Sequence, residues 1–301
     1  MNEIDFIGDI HGHADELVQL LEGQLGYSLQ DGYFQHPTRK VFFVGDFIDR
    51  GPQIKQVLEI VRPMIDNGAA YTTIGNHEYN AICYWTQLKD GTFLRPHSSK
   101  NTGQHEKTIT SLGDELSDYV EWFKTLPIYF ENESFRVVHA QWKPEYINYL
   151  KNKNVVDFSN QKFLFESAIK TSKSYDAIEC LLKGEEMTIP DVYFHDKDGN
   201  KRYSYRIKWW LKGQNLECKN SLFEFPNQGK SDLISLLGYE ESKIPVFFGH
   251  YWLKNSEPVL MSQNVCCLDF SVAKSGNLVA YRWNGERILD KANFCFVPAI
   301  S

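Results

Sequence analysis

Nowhere in these 301 residues does an apolar run approach the roughly 20 that a membrane-spanning helix needs. The first strand-like run begins by Ile4, which leaves no basic leader segment ahead of it. Cysteine is scarce: six residues, no CxxC spacing, and one adjacent pair, Cys266-Cys267, in an apolar strand-like context. That pattern argues for buried thiols and against a disulfide framework. Positive charge is not in surplus either. Lysine and arginine number 32 against 39 acidic residues, so no global basic field draws the chain to nucleic acid or anionic lipid. Internal repeats and low-complexity tracts are absent. The expectation is a soluble, cytoplasmic protein with no membrane partner, and its 42% hydrophobic content is enough for a large core.

What the chain does have is three short polar blocks, each at the end of an apolar run. Gly8-Asp9-Ile10-His11-Gly12 follows Ile4 to Ile7, and Gly45-Asp46-Phe47-Ile48-Asp49-Arg50-Gly51 follows Val41 to Val44. Gly75-Asn76-His77-Glu78 follows Ala70 to Ile74. Each run reads as a buried strand. Glycine at its end permits a sharp turn and a close approach to a ligand. Two later runs repeat the pattern: Phe135 to Val138 leads into His139, and Pro245 to Gly249 leads into His250. In open α/β sheets ligands bind beyond the carboxyl ends of the strands. Oxygen donors mixed with imidazoles, without thiolate, suit divalent metals that activate water.

Between the blocks, Leu17, Leu20 and Leu21 share a helical face, as do Ile54, Val57, Leu58 and Val61 after Pro52. The resulting β-α-β-α-β start implies a largely parallel inner sheet. Lys89 to Lys107 is polar and reads as a long loop; Asp114 to Leu126 and Phe163 to Leu182 read as helices. Ile189 to His195 and Lys201 to Trp210 read as a strand pair around Asp198-Gly199. Asp196 to Asn200 only hints at a calcium loop, lacking the remaining ligand spacing, so a hairpin turn is expected there. His36, His97, His105 and His195 are expected on the surface, and His13 at an exposed helix start.

These motifs resemble the signature of the calcineurin-like metallophosphoesterases, and within them the phosphoprotein-phosphatase type. The likeness runs from Asp9 to about His250, and Gln263 to Trp283 resembles that family's closing strands. It implies an α/β sandwich of two central mixed β-sheets flanked by helices, as one domain over residues 1–301 with an insertion at about 143–243. It implies two divalent ions, Mn²⁺ foremost with iron or zinc as alternatives. Asp9, His11 and Asp46 would hold one ion, and Asp46, Asn76, His139 and His250 the other, with Asp46 shared. A shared carboxylate offsets the repulsion between two such charges.

The resemblance further implies direct in-line hydrolysis without a phosphoenzyme. Arg50 would present its planar fork to phosphate oxygens alongside Asn76. Its alternative role is a salt bridge with Asp49. His77 would protonate the leaving oxygen, with Asp49 holding the imidazole. A second phosphate-binding arginine would come from the interval between the two later histidines, where Arg206 is favoured and Arg202 is the other choice. Two departures bear on substrate. Gln141-Trp142 after His139 stand where many relatives have small residues, and Gln141 or Trp142 would narrow the pocket or contact the leaving group. Tyr251-Trp252 after His250 stand in place of a small hydroxyl residue, and both departures leave substrate choice open.

Three functions follow in order: a phosphomonoesterase acting on a phosphoprotein or small phosphoester, a dinucleoside polyphosphate hydrolase, and a scaffold without catalysis. Against the second, the bacterial diadenosine tetraphosphate hydrolases tend to lack an aspartate matching Asp49 and to end the third motif in Asp where this chain has Glu78. Against the third, every expected chemical group is present.

Overall fold

The computed structural model describes residues 3–190, 192–195, 201–226 and 233–300. Among the described residues two sheets form the core. Their strands are β1 (Ile4–Ile7), β2 (Lys40–Phe43), β3 (Ala70–Thr72), β4 (Tyr129–Glu131), β5 (Arg136–Val138), β6 (Val246–Phe248), β7 (Val265–Cys267), β8 (Asp269–Phe270), β9 (Asn277–Trp283) and β10 (Phe294–Pro298). The first sheet runs β8-β9-β1-β2-β3, with β10 also on β9; the second runs β7-β6-β5-β4. Both are mixed. β1 is parallel to β2 and antiparallel to β9. β6 is parallel to β5 and β7, and β4 is antiparallel to β5.

The inner strands are short apolar runs because both their faces are covered. Aromatic rings fill the space between the sheets. Phe6 of β1 stacks on Phe247 of β6 with centroids 3.7 Å apart and planes 9° from parallel. Phe135 meets Phe6 and Trp283 edge-on at 5.1 Å, and Phe42 meets Phe130 at 5.2 Å. One charge is buried among them: Asp5 of β1 pairs with Arg39 at 2.9 Å and Arg282 at 3.2 Å and accepts from the Tyr27 hydroxyl. Burial raises this carboxylate above its ordinary value, against the pull of Arg39, Arg282 and the Tyr27 hydroxyl.

Helices α1 (Ala14–Val18, continued as a π-helical turn to Leu25), α2 (Ile54–Asp66), α3 (Asn76–Trp85), α4 (Ser99–Leu112) and α5 (Leu116–Phe123) flank the first sheet's connections. Residues 89–98 form the expected loop, but helix α4 replaces its second part from Ser99 onward. Ser98 caps its first turn by accepting from the Asn101 N–H, and His105, Thr108 and Leu112 form a buried stripe at helical spacing. The stripe carries little hydrophobicity, so composition alone reads as loop. The expected single helix over 163–182 is two, Gln161–Ser167 and Lys173–Lys183, because Ser172 starts a new cap.

Farther along, Phe194–His195 pairs with Lys201–Arg202, and Glu186–Thr188 pairs with Ser204–Arg206. The Asp196 to Asn200 turn expected between them lies outside the described residues. The helices of 144–183 bury Ile147, Leu150, Phe163, Leu164, Ile178 and Leu181 in the main core. Ile189, Tyr205, Cys218, Leu222 and Ile234 form a separate small cluster. We propose a single domain with an insertion at about 143–243, whose helices join the main core and whose hairpins do not. The six cysteines are free thiols. No helix among the described residues is long and apolar enough to cross a membrane.

Because Phe247 is fully buried against Phe6, Phe247→Ala should destabilise the chain by about 3–5 kcal/mol in urea denaturation. A loss under about 1 kcal/mol would show that this ring does not hold the sheets together.

Candidate metal centre

The strand ends of both sheets turn toward one point. β1 ends at Asp9 and His11, β2 at Asp46, Asp49 and Arg50, and β5 and β6 at His139 and His250; helix α3 starts at Asn76 and His77. Five of these residues hold left-handed backbones without being glycine: His11 (φ 48°), Asp46 (57°), Asp49 (65°), Arg50 (69°) and His250 (73°). Each costs of order 1–3 kcal/mol, so the surroundings must over-determine them.

Glu78 supplies part of that determination. Its carboxylate accepts from the backbone N–H groups of Asp46, Phe47, Ile48 and Gly75 at 2.9, 2.8, 3.3 and 3.0 Å. Burial and the nearby Asp46 push Glu78 up to about 7, against the pull of these donors. Glycine is required at two contacts. A Cβ on Gly75 would lie 2.1 Å from Asp46 Oδ1, and one on Gly249 would lie 1.9 Å from Asp9 Oδ1.

Asp9, His11, Asp46, Asn76, His139 and His250 are all buried and brought together. Asp46 Oδ2 lies 3.5 Å from His11 Nε2 and 3.3 Å from His139 Nε2. Asn76 Oδ1 lies 3.1 Å from His139 Nε2. Each of these two imidazoles bonds a backbone carbonyl through Nδ1, His11 to Ile48 at 2.9 Å and His139 to Val44 at 2.8 Å. A donated Nδ1–H there turns Nε2 toward Asp46. Burial opposes protonation of His139, but Asp46 raises it, so its Nε2 carries a proton toward that carboxylate whose place a cation would take. Potential ligand atoms fall into two groups sharing Asp46: His11, Asp46 and His77, and Asp46, His139 and His250.

The donor set fits divalent cations. Asp9 Oδ1, His11 Nε2 and both ring nitrogens of His250 are buried without a hydrogen-bond partner, which costs about 1–3 kcal/mol per group unless something fills the role. Burial, then repulsion from Asp269 and Asp46, raises Asp9 well above the carboxylate range. A cation is what would let it ionise. Burial, with His77 beside it, holds His11 down to about 3, a neutral imidazole ready to ligate. Burial, then Arg206, likewise holds His250 neutral.

A second array stands beside this one. His77 Nδ1 meets Asp49 Oδ2 at 2.5 Å. Asp49 Oδ1 accepts from the Thr108 hydroxyl at 2.5 Å and meets His105 Nδ1 at 3.0 Å. The Trp85 indole donates to His105 Nε2, so His105 carries its proton on Nδ1 and donates it to Asp49. Burial would raise Asp49, but these bonds hold it well below the carboxylate range. His77 is raised, burial notwithstanding, by Asp46 and by its bond to Asp49. His105 is therefore buried machinery, where surface exposure was expected. Its signal in the sequence is the His105, Thr108, Leu112 spacing.

Arg50 makes no ion pair with Asp49 among the described residues; its Nε is buried without a partner. Its guanidinium lies 5.2 Å from the Trp252 ring centre. Arg206 is half-buried and acts on both His250 and Tyr251, whereas Arg202 is exposed. The expected narrowing by Gln141 and Trp142 is not seen. Gln141 exchanges two hydrogen bonds with Glu185, and Trp142 packs under Arg136. Tyr251 joins an aromatic cluster with Trp210, Phe223 and Phe248. His13 is half-buried and meets Glu16; His36 accepts from two backbone N–H groups; His97 is exposed.

Residues 3–250 match the family profile described as calcineurin-like phosphoesterase. The chain is 30% identical over 145 residues to the asymmetrical bis(5'-nucleosyl)-tetraphosphatase PrpE of Halalkalibacterium halodurans, covering 46% of this chain and 56% of that protein. It thus spans little more than half of that relative. The symmetrical bis(5'-nucleosyl)-tetraphosphatase of Vibrio parahaemolyticus is 22% identical over 303 residues, covering 94% and 96% of the two chains. Among solved structures, a Saccharomyces cerevisiae protein serine/threonine phosphatase superposes with a TM-score of 0.52 at 13% identity, covering 99% of this chain and 80% of that one. A structure given the provisional description of a diadenosine tetraphosphatase also scores 0.52, at 15% identity, covering 100% and 95%. These two likenesses concern the fold alone.

The Gly249 contact gives a direct test. Gly249→Ala should displace the Asp9 carboxylate and weaken Mn²⁺ binding by at least about tenfold in calorimetry, with the circular dichroism spectrum retained. Undiminished Mn²⁺ affinity would show that Asp9 does not need its present position.

Proposed function

The chain belongs to the calcineurin-like phosphoesterases, a metal-dependent phosphoester hydrolase, and from that premise we propose that it cleaves nucleoside polyphosphates of the bis(5'-nucleosyl)-tetraphosphate kind. The observation that carries this reading is the match to the Vibrio symmetrical tetraphosphatase along nearly the whole of both chains. It reverses the order expected from sequence, where a phosphomonoesterase came first. One argument behind that order loses its force on physical grounds. Glu78 spends both oxygens on four backbone N–H groups, so Asp or Glu at that position concerns loop packing more than substrate.

In this reading Asp9, His11, Asp46, Asn76, His139 and His250 hold two divalent ions, with manganese the proposed metal. Such ions supply Lewis-acid polarisation of the phosphoryl group and lower the pKa of water. The other groups act through the chain itself. Arg50, with its buried and unpartnered Nε, offers its fork to phosphate oxygens, and Arg206 adds a second cation beside His250. His77 donates Nδ1–H to Asp49, which leaves Nε2 facing the pocket to hand a proton to the leaving oxygen. His105 and Thr108 keep Asp49 in place for that task. This proton donor favours a second reading, hydrolysis of monoesters such as phosphoserine, whose alkoxide needs protonation to leave.

The purified protein with Mn²⁺ should show kcat/KM for diadenosine tetraphosphate at least about tenfold above that for a phosphoserine peptide. His77→Asn should cost about 10²–10⁴-fold on the peptide and far less on the tetraphosphate, whose nucleotide leaving group is a stable anion. A preference for the peptide would overturn the first reading in favour of the second.

A further inference from the structure

Trp252 sits at the rim of the candidate centre. Its ring stacks on His11 with centroids 5.4 Å apart and planes 21° from parallel. Two cations lie over the same ring: Arg50 with its guanidinium carbon 5.2 Å from the centroid, and Lys274 with Nζ 4.1 Å from it. Both belong to loops held in left-handed backbone, Arg50 at φ 69° and Lys274 in a turn bracketed by Ser271 (62°) and Ser275 (60°).

The Lys274 turn is tied to the segment that carries Trp252. Asp269 Oδ2 accepts the Trp252 N–H at 2.7 Å, and its Oδ1 accepts the Ser271 N–H at 3.0 Å. The Ser271 hydroxyl donates to the Leu253 carbonyl at 3.0 Å. Asp269 is thereby occupied by backbone donors. Among the described residues neither Arg50 nor Lys274 has an ion-pair partner, and Glu224, the other acid acting on Lys274, is exposed. Burial, and then the Arg50 charge acting across this ring, disfavour the protonated form of Lys274, and an anion reaching both cations would relieve that repulsion.

We infer that Arg50, Trp252 and Lys274 form a subsite for a phosphate of a polyphosphate chain, next to the phosphoryl group held at the candidate centre. The indole already carries a stacked imidazole and two cations, so it offers little for a nucleobase to stack on. The ligand is the phosphate chain itself. Arg50 would touch the reacting phosphate and Lys274 its neighbour, which makes Lys274 the residue that distinguishes polyphosphates from lone monoesters. The inference deepens the polyphosphate reading and rests on it.

The test uses the Mn²⁺ protein with metal in constant excess, comparing wild type, Lys274→Met and Lys274→Arg. Calorimetry measures binding of inorganic tripolyphosphate and of orthophosphate, and kinetics compare diadenosine tetraphosphate with p-nitrophenyl phosphate. Lys274→Met should weaken tripolyphosphate binding about tenfold relative to orthophosphate, as loss of one charge-assisted contact would. It should lower the tetraphosphate to nitrophenyl ratio of kcat/KM by a similar factor through KM, and Lys274→Arg should restore most of both. If the ratio falls but tripolyphosphate binding does not, the subsite reads the nucleoside and the inference is wrong. Equal losses on both ligands, or none, also overturn it. The outcomes stay separate from the broader reading. Wild type that binds tripolyphosphate through Lys274 but does not cleave the tetraphosphate would refute the proposed substrate and leave the subsite standing.

Discussion

Asp46 lies where the strand ends of the two sheets meet, its carboxylate facing His11 and His139 at 3.5 and 3.3 Å and accepting the His77 N–H at 2.9 Å. Holding it there requires a left-handed backbone, four N–H bonds into Glu78, and a glycine at position 75 that leaves room for the oxygen. Much of the surrounding architecture serves this placement. The stacked Phe6 and Phe247 rings bring β1 and β6 face to face, so that Asp9 and His250, at the ends of different sheets, come within a hydrogen bond of each other.

The strain is concentrated in the loops and the rigidity in the strands behind them. Short strands with mostly buried side chains leave little freedom at their ends, and left-handed residues begin soon after β1, β2 and β6 stop. Burial strips water from carboxylates and imidazoles alike, raising Asp9 and lowering His11 and His250. A constellation of this kind is unfavourable unless cations complete it, which is the sense in which the fold and its metal chemistry are one design.

The five apolar runs and the residues after them were legible because strand, glycine and polar block are local in sequence. The parallel pairing of β1, β2 and β3 followed from the same pattern, whereas the two mixed sheets were expected only from the family resemblance. Other features depended on distant partners. His105 looked like a surface residue in a polar stretch, yet helix α4 carries it to Asp49, a contact across 56 residues of sequence. Gln141 looked like a pocket residue until Glu185 claimed both ends of its amide. Trp252 looked like a bulky intrusion, and only the loop around Lys274 shows what it faces. Glu78 was legible as part of a motif but not as the acceptor of four backbone donors.

The account turns on two cations sharing Asp46. Crystals grown with Mn²⁺ and measured at the manganese absorption edge address this most directly. Two anomalous peaks should flank Asp46, one beside Asp9 and His11 and the other beside Asn76, His139 and His250. A single peak, or two with the Asp46 carboxylate turned away from either, would contradict the account.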